Sequence, residues 1–66
     1  MQIILNGTTH TVESGATVGD LLKALNLAHR PVVTELDGRA LSRSDHASTA
    51  LSEGARVEII VLAVGG

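Results

Sequence analysis

Residues 56–63, RVEIIVLA, are the most apolar stretch of the chain and read as its last β-strand. Val57, Ile59 and Val61 alternate with Glu58, Ile60 and Leu62. The first set is expected to face a helix and the second to face the other way. A strand apolar on both sides belongs in the middle of a sheet, with neighbours on each flank. The best neighbour is the apolar opening segment, residues 1–5, MQIIL. These two strands would run parallel, with the intervening chain crossing one face of the sheet.

That crossing is written in residues 17–25, TVGDLLKAL. Thr17 is a good helix N-cap, and Asp20 three residues on fits a capping box at the positive helix end. Val18, Leu21, Leu22 and Leu25 fall at the spacing of one helix face. Leu21, Leu22 and Leu25 are expected to pin the helix to the sheet, so that Leu25→Ala leaves the domain largely or marginally unfolded. Asn26 can end the helix, and Pro31 biases Arg30 away from helical angles.

Two hairpin signals frame the helix. Asn6-Gly7 joins the first strand to a returning strand over residues 8–13, and Asp37-Gly38 joins residues 32–36 to a short strand at 39–41. Residues 42–52 are polar and weakly patterned, with room for one short helical turn. Glu53-Gly54 then turns the chain into the last strand. The order hairpin, helix, hairpin, strand gives an α+β fold of the β-grasp type: a mixed sheet of four to five strands with one main helix packed on one face. Residues 1–63 are expected to form this domain and 64–66 a flexible tail.

Sixty-six residues make one domain, with a core drawn from Leu, Ile, Val, Ala and Met1, because the chain has no Phe, Tyr or Trp. A domain of this size buries only about 60% of the surface of its unfolded chain. It rarely encloses a deep catalytic cavity alone. The absence of cysteine excludes disulfides, thiol nucleophiles and cysteine zinc sites. The formal net charge is −2, and Lys23, Arg30, Arg39, Arg43 and Arg56 are scattered. With neither a basic stripe nor an aromatic platform, nucleic-acid binding is not expected. No apolar run reaches membrane-spanning length and no signal-peptide pattern opens the chain, so a cytoplasmic protein is expected.

Little else in the sequence carries chemistry. His10, His29 and His46 lack metal-ligand spacing and read as surface residues. Glu35 and Asp37 read as solvated strand and turn positions rather than a catalytic pair. The chain ends on Gly65-Gly66, two residues without side chains whose backbone adopts any φ. Ile60 and Leu62, with Val64, would form an apolar docking patch beside that tail.

The opening MQIILNG, the helix segment TVGDLLKAL, the stretch VVTELDGRALSRSDHASTALSEGARVEIIVLAVGG over residues 32–66 and the terminal Gly65-Gly66 resemble the sulfur carrier proteins of thiamine biosynthesis, the ThiS family. The resemblance covers essentially the whole chain. It implies a ubiquitin-like β-grasp fold and a carrier, not an enzyme. An E1-like adenylating enzyme would use ATP and Mg²⁺ to activate the C-terminal carboxylate, the chain itself binding no cofactor. Sulfur from cysteine, supplied by a cysteine desulfurase or similar donor, would convert the carboxylate to a thiocarboxylate. A thiazole synthase would take that sulfur for the thiazole ring of thiamine. Gly66 is then the modified residue and Gly65 its partner in the tail. Ubiquitin-type tails carry basic residues before the two glycines. Here the tail reads LAVGG, which favours a prokaryotic-type sulfur carrier over a protein modifier.

Within the same fold, the small subunit of molybdopterin synthase, or a sulfur carrier for another route, would use the same tail chemistry. In a different class stand a β-grasp protein modifier and a plain interaction module. Mass spectrometry separates these classes: a thiocarboxylate marks a carrier, an isopeptide a modifier, and a plain carboxylate a module.

Overall fold

The computed structural model describes residues 1–63. In chain order they form β1 (Gln2–Leu5), β2 (Thr8–Thr11), α1 (Val18–Ala24), β3 (Val32–Leu36), β4 (Arg39–Leu41), a 3-10 turn (Arg43–Asp45) and β5 (Arg56–Val61). The strands make one sheet in the order β2-β1-β5-β3-β4. β5 runs parallel to β1 and antiparallel to β3, so the apolar last strand lies centrally. This is the β-grasp arrangement expected from its two-sided apolar pattern.

Both hairpins turn through positive φ at their two central residues: Asn6 at 48° and Gly7 at 81°, Asp37 at 50° and Gly38 at 83°. These angles are the left-handed pair that matches strand twist in a two-residue hairpin. They set the registers Leu5↔Thr8 and Leu36↔Arg39.

α1 starts and stops on side-chain and backbone caps. Thr17 Oγ1 accepts the Asp20 N–H at 3.1 Å, and Asp20 Oδ2 accepts the Thr17 N–H at 2.9 Å. This is a capping box closed by Asp instead of Glu. At the other end Leu25 is the C-cap and Asn26 takes φ 60°. The Leu27 N–H then reaches back to Leu22 O at 2.8 Å, and the Asn26 N–H to Lys23 O at 3.0 Å. Those two bonds are a Schellman stop, with Asn standing where Gly is commoner.

The hydrogen bonds from Thr17 hold the Asp20 carboxyl below its ordinary value, with the charge of Lys23 adding to the effect. A depressed carboxyl stabilises the fold fully above its unfolded value. That stability is lost as the pH falls through the folded value, so the window lies below about pH 4. Thr17→Ala is expected to cost about 1 kcal/mol at neutral pH. It should also flatten, without abolishing, the loss of melting temperature between about pH 4 and pH 2, because the residue-17 N–H that still reaches the Asp20 carboxyl is the larger cause of its depression. Thermal melts across that range check both; parallel pH profiles for variant and wild type would remove the Thr17 hydroxyl from the account.

The core gathers Ile3, Val57 and Ile59 from the sheet, Val18, Leu21 and Leu22 from α1, and Leu51 and Ala55 from the connection into β5. Leu25 is only half-buried and packs at the edge of this cluster. The pinning assigned to it falls instead on Val18, Leu21 and Leu22, because the helix turns into its Schellman stop at Leu25. The polar stretch at 42–52 does contain one short helical turn, and it is held more firmly than its composition suggests. Val18 N–H donates to Thr49 O at 2.9 Å, Leu51 N–H to Ala16 O at 2.8 Å, and Gly19 N–H to His46 O at 2.9 Å. A side chain at Gly19 would lie 3.4 Å from the backbone of His46 and Ala47, so glycine allows this close approach.

One expectation is overturned here. His46 is buried, and its Nε2 lies 2.8 Å from Thr34 Oγ1, itself 1% exposed. The ring fills the seam between the 3-10 turn and the sheet. Burial without a partner would be costly for both groups, and each satisfies the other. His29 is exposed and His10 half-buried. Among the described residues no group of three His, Asp or Glu side chains converges to hold a metal ion. No helix among them is long and apolar enough to cross a membrane.

Candidate functional site: the end of β5 and the open face of the sheet

Ile60 and Leu62, the described residues that the sequence singles out for docking, lie at the end of β5. β5 pairs with β1 only at Ile4↔Arg56 and Leu5↔Val57, because β1 turns away at Asn6. The next residue of β5 with its backbone toward β1 is Ile59. Its N–H donates to Asn6 Oδ1 at 2.8 Å, and its carbonyl accepts from Asn6 Nδ2 at 3.1 Å. The Asn6 amide therefore stands in for the missing strand residue. Asp37 plays a related part at the start of β5, where its Oδ1 accepts the Arg56 N–H at 2.9 Å. On the β3 side pairing continues to Val32↔Val61, and the Leu62 N–H donates to Pro31 O at 2.8 Å. β5 is thus anchored along its length up to Leu62.

Both turn residues were legible in the sequence only as turn formers. Their second role needs the register and had no sequence signal. Asn6→Ala is expected to leave the Ile59 N–H and carbonyl without these partners and to put a residue with a Cβ preference against φ 48° at the turn. The expected cost is about 1–3 kcal/mol. Faster hydrogen exchange at the Ile59 amide, together with a lower melting temperature, checks it. An unchanged Ile59 exchange rate would mean that the amide bridge contributes nothing.

The faces of β5 follow the expected alternation as far as Ile59. Val57 and Ile59 are buried at 0% and 6%, while Ile60 is 57% and Leu62 46% exposed. Val61 departs from expectation. It shares the phase of Val57 and Ile59 but is 40% exposed. By Val61 the strand has outrun β1, and the seven-residue α1 is too short to cover it. Directly across from Ile60 in the ladder sits Val33, 40% exposed. Cross-strand partners share a face, so Val33 and Ile60 form one apolar rung, and Leu62 lies further along the same face of β5. Val33 was missed in the sequence because its partnership depends on the β3–β5 register.

The remaining site residues named from the sequence, Val64, Gly65 and Gly66, lie outside the described residues. A groove of about 590 Å³ lies elsewhere, between β2 and α1, lined by His10, Val12, Glu13, Asp20 and Leu21 among others, and none of its lining residues belongs to β5.

Comparison with known proteins sets this geometry among relatives. Residues 3–66 match the model of the ThiS family. The crystal structure of a thiamine biosynthesis protein (ThiS) from Geobacter metallireducens superposes with a TM-score of 0.84 at 33% identity, covering 100% of both chains. A solution structure of a thiamine biosynthesis protein from Geobacter metallireducens gives a TM-score of 0.82 at 33% identity, over 100% of this chain and 88% of that one. A thiazole synthase of Magnetococcus marinus is 33% identical over 66 residues, and the chain spans 20% of that relative's length.

Proposed function

The chain belongs to the ThiS family, and from that membership we propose that it carries sulfur for thiamine biosynthesis on the C-terminal carboxylate of Gly66. The observation that carries the proposal is that the family match runs through residue 66, Gly65 and Gly66 included, in a chain with no cysteine. A sulfur carrier without a thiol must hold sulfur on some other group.

A carboxylate is inert toward sulfur nucleophiles at neutral pH. An E1-like adenylating enzyme, holding ATP and Mg²⁺, would join the carboxylate to AMP with loss of pyrophosphate. The terminal sulfur of a cysteine-derived persulfide would then displace AMP to give an acyl disulfide. A thiol of the partner enzymes would cleave its S–S bond, forming a disulfide with the donor sulfur and releasing the thiocarboxylate, so that one oxygen is exchanged for sulfur. A thiazole synthase would accept that sulfur. The thiazole synthase relative supports this last partner. The chain is here a co-substrate: its partners supply acid, base and metal, and its own task is to present the carboxylate.

Presentation needs a body that docks and a tail that reaches. Val33, Ile60 and Leu62 are the exposed aliphatic residues on the face of β5 turned away from the core, and they adjoin the last described residues. Ile60→Asp is expected to keep the melting temperature near wild type, since Ile60 is 57% exposed. It should weaken binding to the activating enzyme or the thiazole synthase at least ~10-fold. Calorimetric titration of both enzymes tests it; wild-type affinity for both would place the docking surface elsewhere. ATP–pyrophosphate exchange with the activating enzyme tests the chemistry itself.

A further inference from the structure

One ladder step from the apolar rung lies an arrangement that the stability of the sheet does not favour. Glu35 of β3 and Glu58 of β5 are direct cross-strand partners, on the same face as Val33 and Ile60. Side chains at such positions have Cβ atoms roughly 4.5–5.5 Å apart, and like charges there repel. Neither carboxylate accepts a hydrogen bond found among the described residues. Arg56 sits two residues from Glu58 on the same strand face, beside Ile4, and offsets only part of the charge. A threonine or lysine at either position would serve the free domain better. The acidic rung adjoins a pair of aliphatic residues, Val33 at 40% and Ile60 at 57% exposure. The two rungs together form a surface of mixed character: apolar toward the chain end, acidic one step behind it.

We infer that this face is read by a partner that carries an arginine or lysine beside an apolar contact, and that Glu35 and Glu58 together receive that cation. Successive same-face rungs are separated by roughly 6.6 Å along the strand, which sets the distance between the partner's apolar contact and its basic group. The charge argues against a second copy of this chain as the occupant. A two-fold face-to-face pair with its axis through the rung would bring the acidic rungs together, and each copy already carries a net charge of −2. The acidic rung would orient the carrier during encounter, and the apolar rung would hold it once docked. The inference rests on the carrier reading only for the identity of the partners, the activating enzyme and the thiazole synthase.

The test uses the full chain as wild type, as the double variant Glu35→Gln/Glu58→Gln, and as Ile60→Asp. Each is melted alone. Each is then titrated against the activating enzyme and the thiazole synthase at low and at high salt. The double variant is expected to melt at or above the wild-type temperature, because the repulsion is gone. It should bind at least one of the two enzymes about 10-fold more weakly at low salt, with the gap closing as salt screens the pair. A double variant with wild-type affinity and salt dependence toward both enzymes would overturn the inference. If Ile60→Asp still weakens binding in that case, docking on this face stands and only the acidic reading falls. If neither variant changes either affinity, the docking part of the carrier reading falls as well. A wild-type chain that dimerises in solution, with the dimer lost in Ile60→Asp, would also overturn it, because the occupant would then be a second copy.

Discussion

Leu22→Ala is expected to leave the domain largely unfolded at room temperature. Leu22 is 3% exposed and belongs to the cluster that joins α1 to β1 and β5. Deleting a buried leucine side chain costs ~2–5 kcal/mol, through lost transfer energy and the cavity left behind. A domain of this size has about 3–5 kcal/mol to lose. No aromatic residue is present to collapse into the gap, and the backbone around it is tied by the Schellman stop at one end and the capping box at the other. Leu25→Ala should behave differently. Leu25 is half-buried at the rim of the cluster, so its loss should lower the melting temperature while leaving a cooperative transition. Circular dichroism melts of the two variants side by side check the contrast. A Leu22→Ala protein that melts within a few degrees of wild type would take Leu22 out of the core.

The contrast between these two leucines shows how far the sequence reaches. Periodicity put Val18, Leu21, Leu22 and Leu25 on one face, and all four do turn toward the core. Periodicity does not say where the helix ends. Asn26 at φ 60° pulls the chain away just past Leu25, and depth of burial follows from that turn. The same limit appears at Val61, whose phase is right and whose cover is missing because β1 and α1 both stop short of it. Strand order was legible because an apolar strand needs neighbours on both flanks. The hairpins were legible because Asn-Gly and Asp-Gly tolerate positive φ.

Other features depend on distant pairings that one sequence does not reveal. Leu51 lies in the polar stretch without period and Ala55 just past the Glu53-Gly54 turn, yet both are 5% exposed. The stretch is held by bonds to Ala16, Val18 and Gly19, far away in sequence. His46 read as a surface residue because it lacks metal-ligand spacing and surface histidines are the commoner case; its partner, Thr34, is across the fold on β3. Of the candidate site, the outward phase of Ile60 and Leu62 was legible from alternation alone. Val33 and the Glu35–Glu58 rung required the register of β3 on β5. Gly65 and Gly66 owe their assigned chemistry to the resemblance of the whole chain alone, and lie outside the described residues.

The second large effect is expected at the tail. Deleting Gly66 should leave the melting temperature unchanged, since the core members end at Ile59 and the last described backbone bond is at Leu62. The reactive carbon would nevertheless move. Val64, Gly65 and Gly66 reach at most ~10 Å when fully extended, and losing one residue shortens that reach by ~3.3–3.6 Å. With the body docked on the open face of the sheet, the new terminus cannot advance to compensate. A misplacement of about 1 Å can cost ~10²-fold in rate, so a shift of several ångströms should abolish adenylation. Gly65→Val keeps the length and should still impair the reaction, because a β-branched side chain adds bulk and stiffens the backbone where glycine has neither.

The most direct measurement is intact-mass analysis of the protein after incubation with the activating enzyme, ATP and the sulfur donor. Wild type is expected to exchange one oxygen for sulfur, located at Gly66 by fragmentation, while the Gly66-deleted protein, equally folded, should show neither this change nor ATP–pyrophosphate exchange. Normal exchange and sulfur loading by the Gly66-deleted protein would contradict the account, because the working group would then lie somewhere other than the C-terminal carboxylate of Gly66.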